Sequence, residues 1–200
     1  MTAFLDFVLE RLPRPPARVL EVGCGAEGGV TLELAAAGYD VLGIDPQAPQ
    51  GPQFLRTTIE QLDDRGPFAA VVASRVLHHV TPLGAGIEKL ARLAPLLLVD
   101  EFAPERIDQP TRAWYEAQHR RLADPLGPAD LGEWAERHPD LHPSHVVLGE
   151  LERRYEALFL AWRPYLSRWL GVASDELEQA AIEANTIRAV GFRYAGLVRK

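Results

Sequence analysis

The amino-acid sequence predicts an α/β fold in which a doubly wound, mostly parallel sheet carries helices on both faces. Through the first half of the chain, short apolar runs alternate with segments of helical periodicity. Such runs are typical of buried parallel strands, and the helical segments between them supply right-handed crossovers. Two of the runs end in an acidic residue, Glu21 and Asp45, and the first opens directly into closely spaced glycines.

The predicted elements of the first half follow in a regular order. Residues 1–16 predict an N-terminal amphipathic helix that prolines end. Residues 17–103 predict the ligand-binding half of a single domain of 200 residues, because 47% hydrophobic content can fill one core. Its predicted strands are Val19–Val22, Val41–Ile44, Phe54–Arg56, Phe68–Ala73 and Leu96–Val99, with helices at Val30–Ala37 and Ile87–Leu93.

The second half begins with short helical pieces that prolines separate. Residues 104–145 are predicted as a helical insertion after the fifth strand. Open α/β sheets bind ligands at the carboxyl ends of their strands, so this placement favours a lid, with a plain surface insertion as the alternative. Residues 146–200 are predicted to return to the sheet. Their predicted elements are a helix at Val146–Glu156, a strand at Ala157–Trp162, a helix at Asp175–Glu183 capped by Ser174, and a final antiparallel strand within residues 189–200.

Composition argues against several classes of function. A formal net charge of −7 gives no electrostatic basis for binding a nucleic-acid backbone or an anionic membrane. The single cysteine, Cys24, excludes an intramolecular disulfide framework and fits a reducing compartment. The chain start lacks the features of a signal peptide, and no apolar stretch reaches the roughly 18 residues of a membrane span. We therefore expect a cytoplasmic protein.

The glycine turn predicts a nucleoside ligand. Gly23, Gly25 and Gly28 fit the spacing G-x-G-x-x-G, which several ligand classes share. A nicotinamide dinucleotide would place its pyrophosphate on this turn, where the Glu21 carboxylate would repel it. S-adenosylmethionine carries an ammonium group and a sulfonium but no phosphate, so Glu21 favours this cofactor. An NAD-dependent oxidoreductase remains the alternative.

Two further segments complete the predicted nucleoside site. Asp45 ends the second strand, before Pro46, where an acid accepts hydrogen bonds from ribose hydroxyls. The segment Thr57–Leu62 follows the third strand and could meet the adenine ring. There Ile59 would cover one ring face while Thr58 reaches the exocyclic amine. The alternative is an ordinary polar helix start.

The fourth strand opens into Ser74, Arg75, His78 and His79. We expect no metal here, because neighbouring side chains point in different directions and no further ligand has suitable spacing. One imidazole is expected to be held structurally while the other faces the cleft, and either could act as a base near neutral pH. His119 and Glu101 are further candidate bases.

In combination, these motifs resemble class I S-adenosylmethionine-dependent methyltransferases. The resemblance is to the small-molecule group that includes ubiquinone/menaquinone-type methyltransferase domains, and it covers about residues 17–103. At two positions the chain departs from the common pattern, since Ala69 and Thr58 stand where many members have an acid. The motifs that carry the resemblance are EVGCGAEGG, GIDP, TTIEQL, VVASRVLHHV and LLLVDEF.

The resemblance implies a Rossmann-like seven-stranded sheet with an antiparallel last strand, and methyl transfer to a small-molecule acceptor by direct displacement. A regulatory protein that binds the cofactor without catalysis, and a homodimer, stay open. His78 and His79 are the predicted catalytic residues, on the ground given above that either could act as a base. The implied cofactor residues are Glu21, Gly23, Cys24 and Gly25 for the methionine end, Asp45 and Pro46 for the ribose, Thr58, Ile59 and Glu60 for the adenine, and Ser74 and Arg75 beside the sulfonium.

Overall fold

The structure is a computed structural model that describes residues 3–63, 66–122, 126–171 and 175–200. Within these ranges, seven strands form one sheet in the order β3-β2-β1-β4-β5-β7-β6. The predicted doubly wound, seven-stranded α/β fold is confirmed. The strands are β1 Arg18–Val22, β2 Asp40–Ile44, β3 Phe54–Leu55, β4 Ala70–Ser74, β5 Leu96–Phe102, β6 Tyr155–Arg163 and β7 Gly191–Val198.

The first five strands are parallel and the last strand runs against its neighbour. β1 pairs in parallel with β2 and β4, β2 with β3, and β4 with β5. The Val198 amide donates to the Pro95 carbonyl over 2.9 Å, and the Ala103 amide donates to the Val190 carbonyl over 2.8 Å. The end of β7 thus lies beside the start of β5, and the start of β7 lies beside the end of β5. This arrangement confirms the antiparallel last strand.

Helices occupy the connections, and their bounds differ in places from the prediction. The helix predicted from Ile87 begins at Leu83, directly after Pro82, and the helix predicted to reach Glu156 ends at Arg154. The predicted cap Ser174 lies outside the described residues. No helix in the described ranges is long and apolar enough to cross a membrane. The helices are α1 Ala3–Leu9, α2 Thr31–Ala36, α3 Leu83–Leu93, α4 Gln109–His119, α5 Leu131–Arg137, α6 Ser144–Arg154, α7 Ser167–Leu170 and α8 Asp175–Glu183.

The chain divides into two compact units. The first unit comprises residues 1–101, 145–160 and 193–200, and the second comprises residues 102–144 and 161–192. The core of the first unit includes Val19, Leu34, Val41, Val72 and Leu98, which are all buried. The predicted insertion therefore falls in the second unit, together with residues 161–192, which the sequence had assigned to the sheet region.

The second unit has an aromatic core of its own. The Phe102 ring stacks on Tyr165 with centroids 4.3 Å apart, and Trp134 and Trp169 each lie 5.6 Å from it. Completely buried Glu178 accepts the backbone amides of Tyr165, Leu166 and Ser167 over 2.7–3.1 Å. Burial raises the pKa of this carboxyl. These contacts explain why residues 161–192 group with the insertion.

Candidate functional site

The carboxyl ends of four parallel strands bring the predicted residues to one edge of the sheet in the first unit. Glu21 precedes the last residue of β1, and Asp45 follows β2. Ser74 ends β4 and is in register with Asp100 of β5, next to Glu101. Because these strands are parallel, this is the edge where open α/β sheets bind ligands.

The Glu21 carboxylate is completely buried and binds inside the protein. Both of its oxygens lie 3.0 Å from the Val30 amide. The Thr31 hydroxyl donates to Oε2 over 2.7 Å, and the Ser74 hydroxyl donates to Oε1 over 3.2 Å. Burial raises the pKa of Glu21, although these hydrogen bonds oppose the shift. Glu21 thus joins β1 to the start of α2 and to the end of β4, and a direct contact with a ligand ammonium stays a prediction.

Two glycines of the turn have different surroundings. Gly23 has φ +81°, and a Cβ at this position would lie 2.7 Å from the Ser74 carbonyl oxygen. Gly25 has φ +64°, and a Cβ there would meet no atom within 4 Å. The turn therefore packs tightly against β4 at Gly23 and borders open space at Gly25. This arrangement fits a turn whose backbone faces a ligand.

Cys24 contributes its backbone to this turn. Its amide and that of Gly23 both donate to the Ile44 carbonyl, over 3.3 Å and 2.9 Å. The side chain is buried, and burial raises the pKa of the thiol to about 12. A buried thiol with a raised pKa stays protonated near neutral pH and is therefore a poor nucleophile.

Asp45 lies half-buried at the end of β2, where it forms a turn. Its Oδ1 accepts the Gln47 amide over 2.7 Å, and its carbonyl accepts the Ala48 amide over 3.1 Å. No hydrogen bond reaches its Oδ2 from the residues that the structure describes. This oxygen can accept a hydrogen bond from a ligand hydroxyl. Pro46, the next residue, is exposed.

The predicted adenine segment forms a turn. The Thr58 hydroxyl accepts the Gln61 amide over 3.3 Å, and its carbonyl accepts the Leu62 amide over 3.0 Å. These are the hydrogen bonds of a single capped helical turn, which does not continue into a helix. Ile59 is buried and Glu60 is exposed, so contact of either residue with an adenine ring stays a prediction.

The segment after β4 is held by hydrogen bonds to β5. The Arg75 amide donates to the Asp100 carbonyl over 2.7 Å, and the Leu77 amide donates to Glu101 Oε2 over 2.7 Å. Arg75 has a left-handed φ of +53° and an exposed side chain. Ser74 is buried, with its hydroxyl on Glu21. The backbone of this segment is thus fixed at several points.

The two histidines occupy different environments. His78 is 5% exposed and binds Glu101 Oε1 through Nδ1, whereas His79 is exposed. This difference agrees with the predicted division into one structural and one accessible imidazole. Their ring centroids are nevertheless 4.1 Å apart, so the two rings pack against each other instead of diverging as expected.

One residue that binds Glu21 was not predicted from the sequence, and the candidate base His119 lies in the second unit, where its role stays a prediction. Thr31, which binds Glu21, was not predicted; it is the first residue of α2, two positions after Gly29. His119, a candidate base, lies in the second unit with its Nε2 3.1 Å from the Gly127 carbonyl. In the described part of the chain, no group of three His, Cys, Asp or Glu side chains is arranged to hold a metal ion.

Comparison with known proteins identifies the family. Residues 1–138 match the family model described as a methyltransferase domain. The ubiquinone biosynthesis O-methyltransferase of Hahella chejuensis is 37% identical over an alignment of 106 positions, and the match covers 45% of this chain and 44% of that protein. The curated relatives that the chain matches are covered over only 34–44% of their length.

Solved structures share the fold across nearly the whole chain. An S-adenosylmethionine-dependent methyltransferase from Mesorhizobium loti has a TM-score of 0.61 at 14% identity and covers 99% of this chain and 98% of its own. The magnesium protoporphyrin IX methyltransferase from Synechocystis PCC 6803, solved with bound SAH, has a TM-score of 0.58 at 18% identity, covering 98% and 80%. Since the family model matches more than half of the residues, this chain belongs to the methyltransferase-domain family.

Proposed function

We propose that this chain is an S-adenosylmethionine-dependent methyltransferase that acts on a small-molecule acceptor. The observation that carries the proposal is the pairing, at one sheet edge, of open space at Gly25 with a carboxylate oxygen of Asp45 that can accept a ligand's hydrogen bond. These features suit a ligand with a ribose and an amino-acid end. When bound, the cofactor supplies a methyl group on a sulfonium.

Different residues of this edge would bind different parts of the cofactor. The backbone of Gly23, Cys24 and Gly25 would border the amino-acid end, with Glu21 fixing the turn or reaching the ammonium. Asp45, at the turn with Pro46, would accept from the ribose hydroxyls. Thr58, Ile59 and Glu60 would border the adenine, and the backbone of Ser74 and Arg75 would form the wall beside the sulfonium. Family membership supports these roles.

We assign the proton transfer to the histidine pair. Direct displacement needs no covalent protein nucleophile, so the protein chiefly aligns the acceptor and excludes water, which can contribute about 7–11 kcal/mol. An acceptor hydroxyl that still carries its proton needs a base. His79 is exposed and accessible for this role, while His78 is fixed by Glu101 and packs against the His79 ring. His79 is thus the proposed base and His78 its positioning residue.

A hydroxyl acceptor is the favoured class. The curated relatives that the chain matches are ubiquinone biosynthesis O-methyltransferases, which supports oxygen as the acceptor atom. Residues 104–145 remain the proposed lid, a role supported by their place in the chain directly after β5. The hydroxyl acceptor and the lid are proposals that membership of the family does not supply by itself.

Methyl transfer itself tests the proposal. S-adenosylmethionine with a labelled methyl group is incubated with the protein and a panel of phenols, amines and carboxylic acids, and labelled products are separated by chromatography. We expect product from at least one hydroxyl acceptor. Binding of the cofactor without transfer to any acceptor would instead favour the regulatory alternative. Absence of cofactor binding would contradict the proposal as a whole.

A further inference from the structure

Arg75 has a backbone conformation that arginine rarely adopts. Among the described residues, only Arg75 and Asn185 combine a side chain with a left-handed φ, +53° and +55°. Asparagine tolerates this region because its short polar side chain bonds locally, whereas a long side chain has no such compensation. Arg75 therefore occupies a backbone position that its own preferences disfavour.

The surroundings of Arg75 impose this conformation. Its amide donates to the Asp100 carbonyl over 2.7 Å. On one side the Ser74 hydroxyl binds buried Glu21, and on the other the Leu77 amide binds buried Glu101. Strained residues persist where neighbours determine them on both sides, and they cluster at functional sites. The arginine is thus held at the ligand-binding edge of the sheet with its backbone fixed.

The side chain of Arg75 is available to a ligand. It is exposed, and no hydrogen bond or ion pair joins its guanidinium to any residue that the structure describes. Arg193, in the same unit, contrasts with it, because its Nε lies 3.1 Å from Asp100 Oδ1. A guanidinium with no ion-pair partner among the described residues is a good partner for an anionic group.

The positive charge of the proposed cofactor gives a second reason to expect an anion near Arg75. A sulfonium is cationic, and a guanidinium at the same edge would repel it if no anion lay between or beside them. The nearby carboxylates of Glu21 and Glu101 are buried and already accept hydrogen bonds from the protein. A negatively charged group of a ligand beside Arg75 would offset this repulsion.

We propose that Arg75 binds an anionic group of the methyl acceptor, so that the substrate is a small carboxylate or a similar organic anion. This inference rests on the proposed function and names the substrate class of the same site. The planar guanidinium presents donors in a fork that matches a carboxylate, which fixes the acceptor's orientation as well as its charge. Arg75 is thus a specificity residue.

Binding of matched acids and amides tests the proposal. Benzoate, 3-hydroxybenzoate and 3,4-dihydroxybenzoate, and the neutral amide of each, are titrated calorimetrically into the protein saturated with S-adenosylhomocysteine. We expect at least one acid to bind about tenfold more tightly than its amide, as for a charge-assisted hydrogen bond. Arg75→Gln should abolish this preference, and Arg75→Lys should keep part of it. If no acid binds more tightly than its amide, the proposal is overturned.

Cofactor affinity separates this inference from the proposed function. We expect Arg75→Gln to change the affinity for S-adenosylhomocysteine by less than about twofold. A tenfold loss would overturn the inference, because the guanidinium would then hold the carboxylate of the cofactor. Failure of the unmodified protein to bind S-adenosylhomocysteine would contradict the proposed function itself.

A second variant guards against loss of folding. Arg75→Gly removes the guanidinium and relieves the left-handed strain, and Asn185→Gly relieves a matched strain elsewhere. We expect both variants to keep or raise the melting temperature, but only Arg75→Gly to lose the preference for acids over amides. Retention of that preference in Arg75→Gly would overturn the proposal.

Discussion

The imidazole of His78 is bound through Nδ1 to the buried carboxylate of Glu101, whose other oxygen accepts the Leu77 amide over 2.7 Å. One carboxylate thereby fixes both a side chain and the backbone of the same 3₁₀ turn. The exposed ring of His79 packs on His78 with centroids 4.1 Å apart. This relationship gives the segment after β4 a rigid form before any ligand binds.

The first prediction concerns His79 as the base. His79→Gln should lower kcat by about 10²–10⁴-fold for a hydroxyl acceptor that is protonated near neutral pH, and should remove the acidic limb of the pH–rate profile. Arg92→Gln, at an exposed residue near the end of α3 and outside the proposed site and lid, is the control and should leave kcat unchanged. An unchanged kcat in His79→Gln would exclude His79 from the proton transfer.

The second prediction compares the two buried glutamates. In Glu21→Gln, the Thr31 and Ser74 hydroxyls can reorient to suit an amide, so we expect a loss of about 1 kcal/mol. In Glu178→Gln, three backbone amides compete for one carbonyl oxygen, and an unsatisfied amide costs about 1–3 kcal/mol. Urea denaturation of both variants should show the larger loss at Glu178. The reverse order would contradict the hydrogen-bond assignment.

The third prediction follows from the raised pKa of Glu21 and Glu178, whose ordinary value is 4.5. A group with a raised folded-state pKa contributes stability that is complete below its ordinary pKa and lost as pH rises through the folded value. Glutamine does not titrate. The stability difference between the unmodified protein and each Gln variant should therefore shrink from pH 4.5 upward. A difference that grows over this range would show that the carboxylates are stabilised as anions.

The fourth prediction separates packing from ligand space in the glycine turn. Alanine in a left-handed conformation costs about 1–2 kcal/mol at either Gly23 or Gly25. At Gly23 the added Cβ also collides with the Ser74 carbonyl, which adds about 1–3 kcal/mol of overpacking. Gly23→Ala should therefore unfold at lower urea concentration than Gly25→Ala. Equal midpoints would argue against tight packing at Gly23.

The fifth prediction tests the ribose contact. Asp45→Asn keeps an oxygen for the Gln47 amide but loses the charge, so affinity for S-adenosylhomocysteine should fall by about tenfold or more. Asp40→Asn is the matched control, because it removes the same charge at the opposite end of β2. The Asp40 carboxylate is exposed, and its contact in this region is with Arg18 Nε, at 3.5 Å. We expect it to bind like the unmodified protein. Equal affinities in both variants would remove Asp45 from the site.

The periodicity of apolar residues was sufficient to predict the sheet, but it could not predict where charged residues continue a strand. Asp100 and Glu101 suggested that the fifth strand ends at Val99. In the structure β5 reaches Phe102, because Arg193 pairs with Asp100 and His78 binds Glu101. The partners that stabilise these buried acidic side chains are distant along the chain, so a local sequence pattern does not reveal them.

The site was predictable in position and only partly in chemistry. Acids at strand ends and glycines in a turn located Glu21 and Asp45. The internal role of Glu21 depends on Thr31 and on Ser74, which is 53 residues away, and tertiary contacts alone bring them together. The aromatic core of the second unit likewise joins residues near Phe102 to residues near Tyr165.

Calorimetric titration with S-adenosylhomocysteine and, separately, with NAD⁺ decides whether the site is built for a methyl donor. We expect saturable binding of S-adenosylhomocysteine at a single site, weakened in Asp45→Asn and unchanged in Asp40→Asn, with no comparable binding of NAD⁺. Tighter binding of NAD⁺, or no binding of S-adenosylhomocysteine to the unmodified protein, would contradict it.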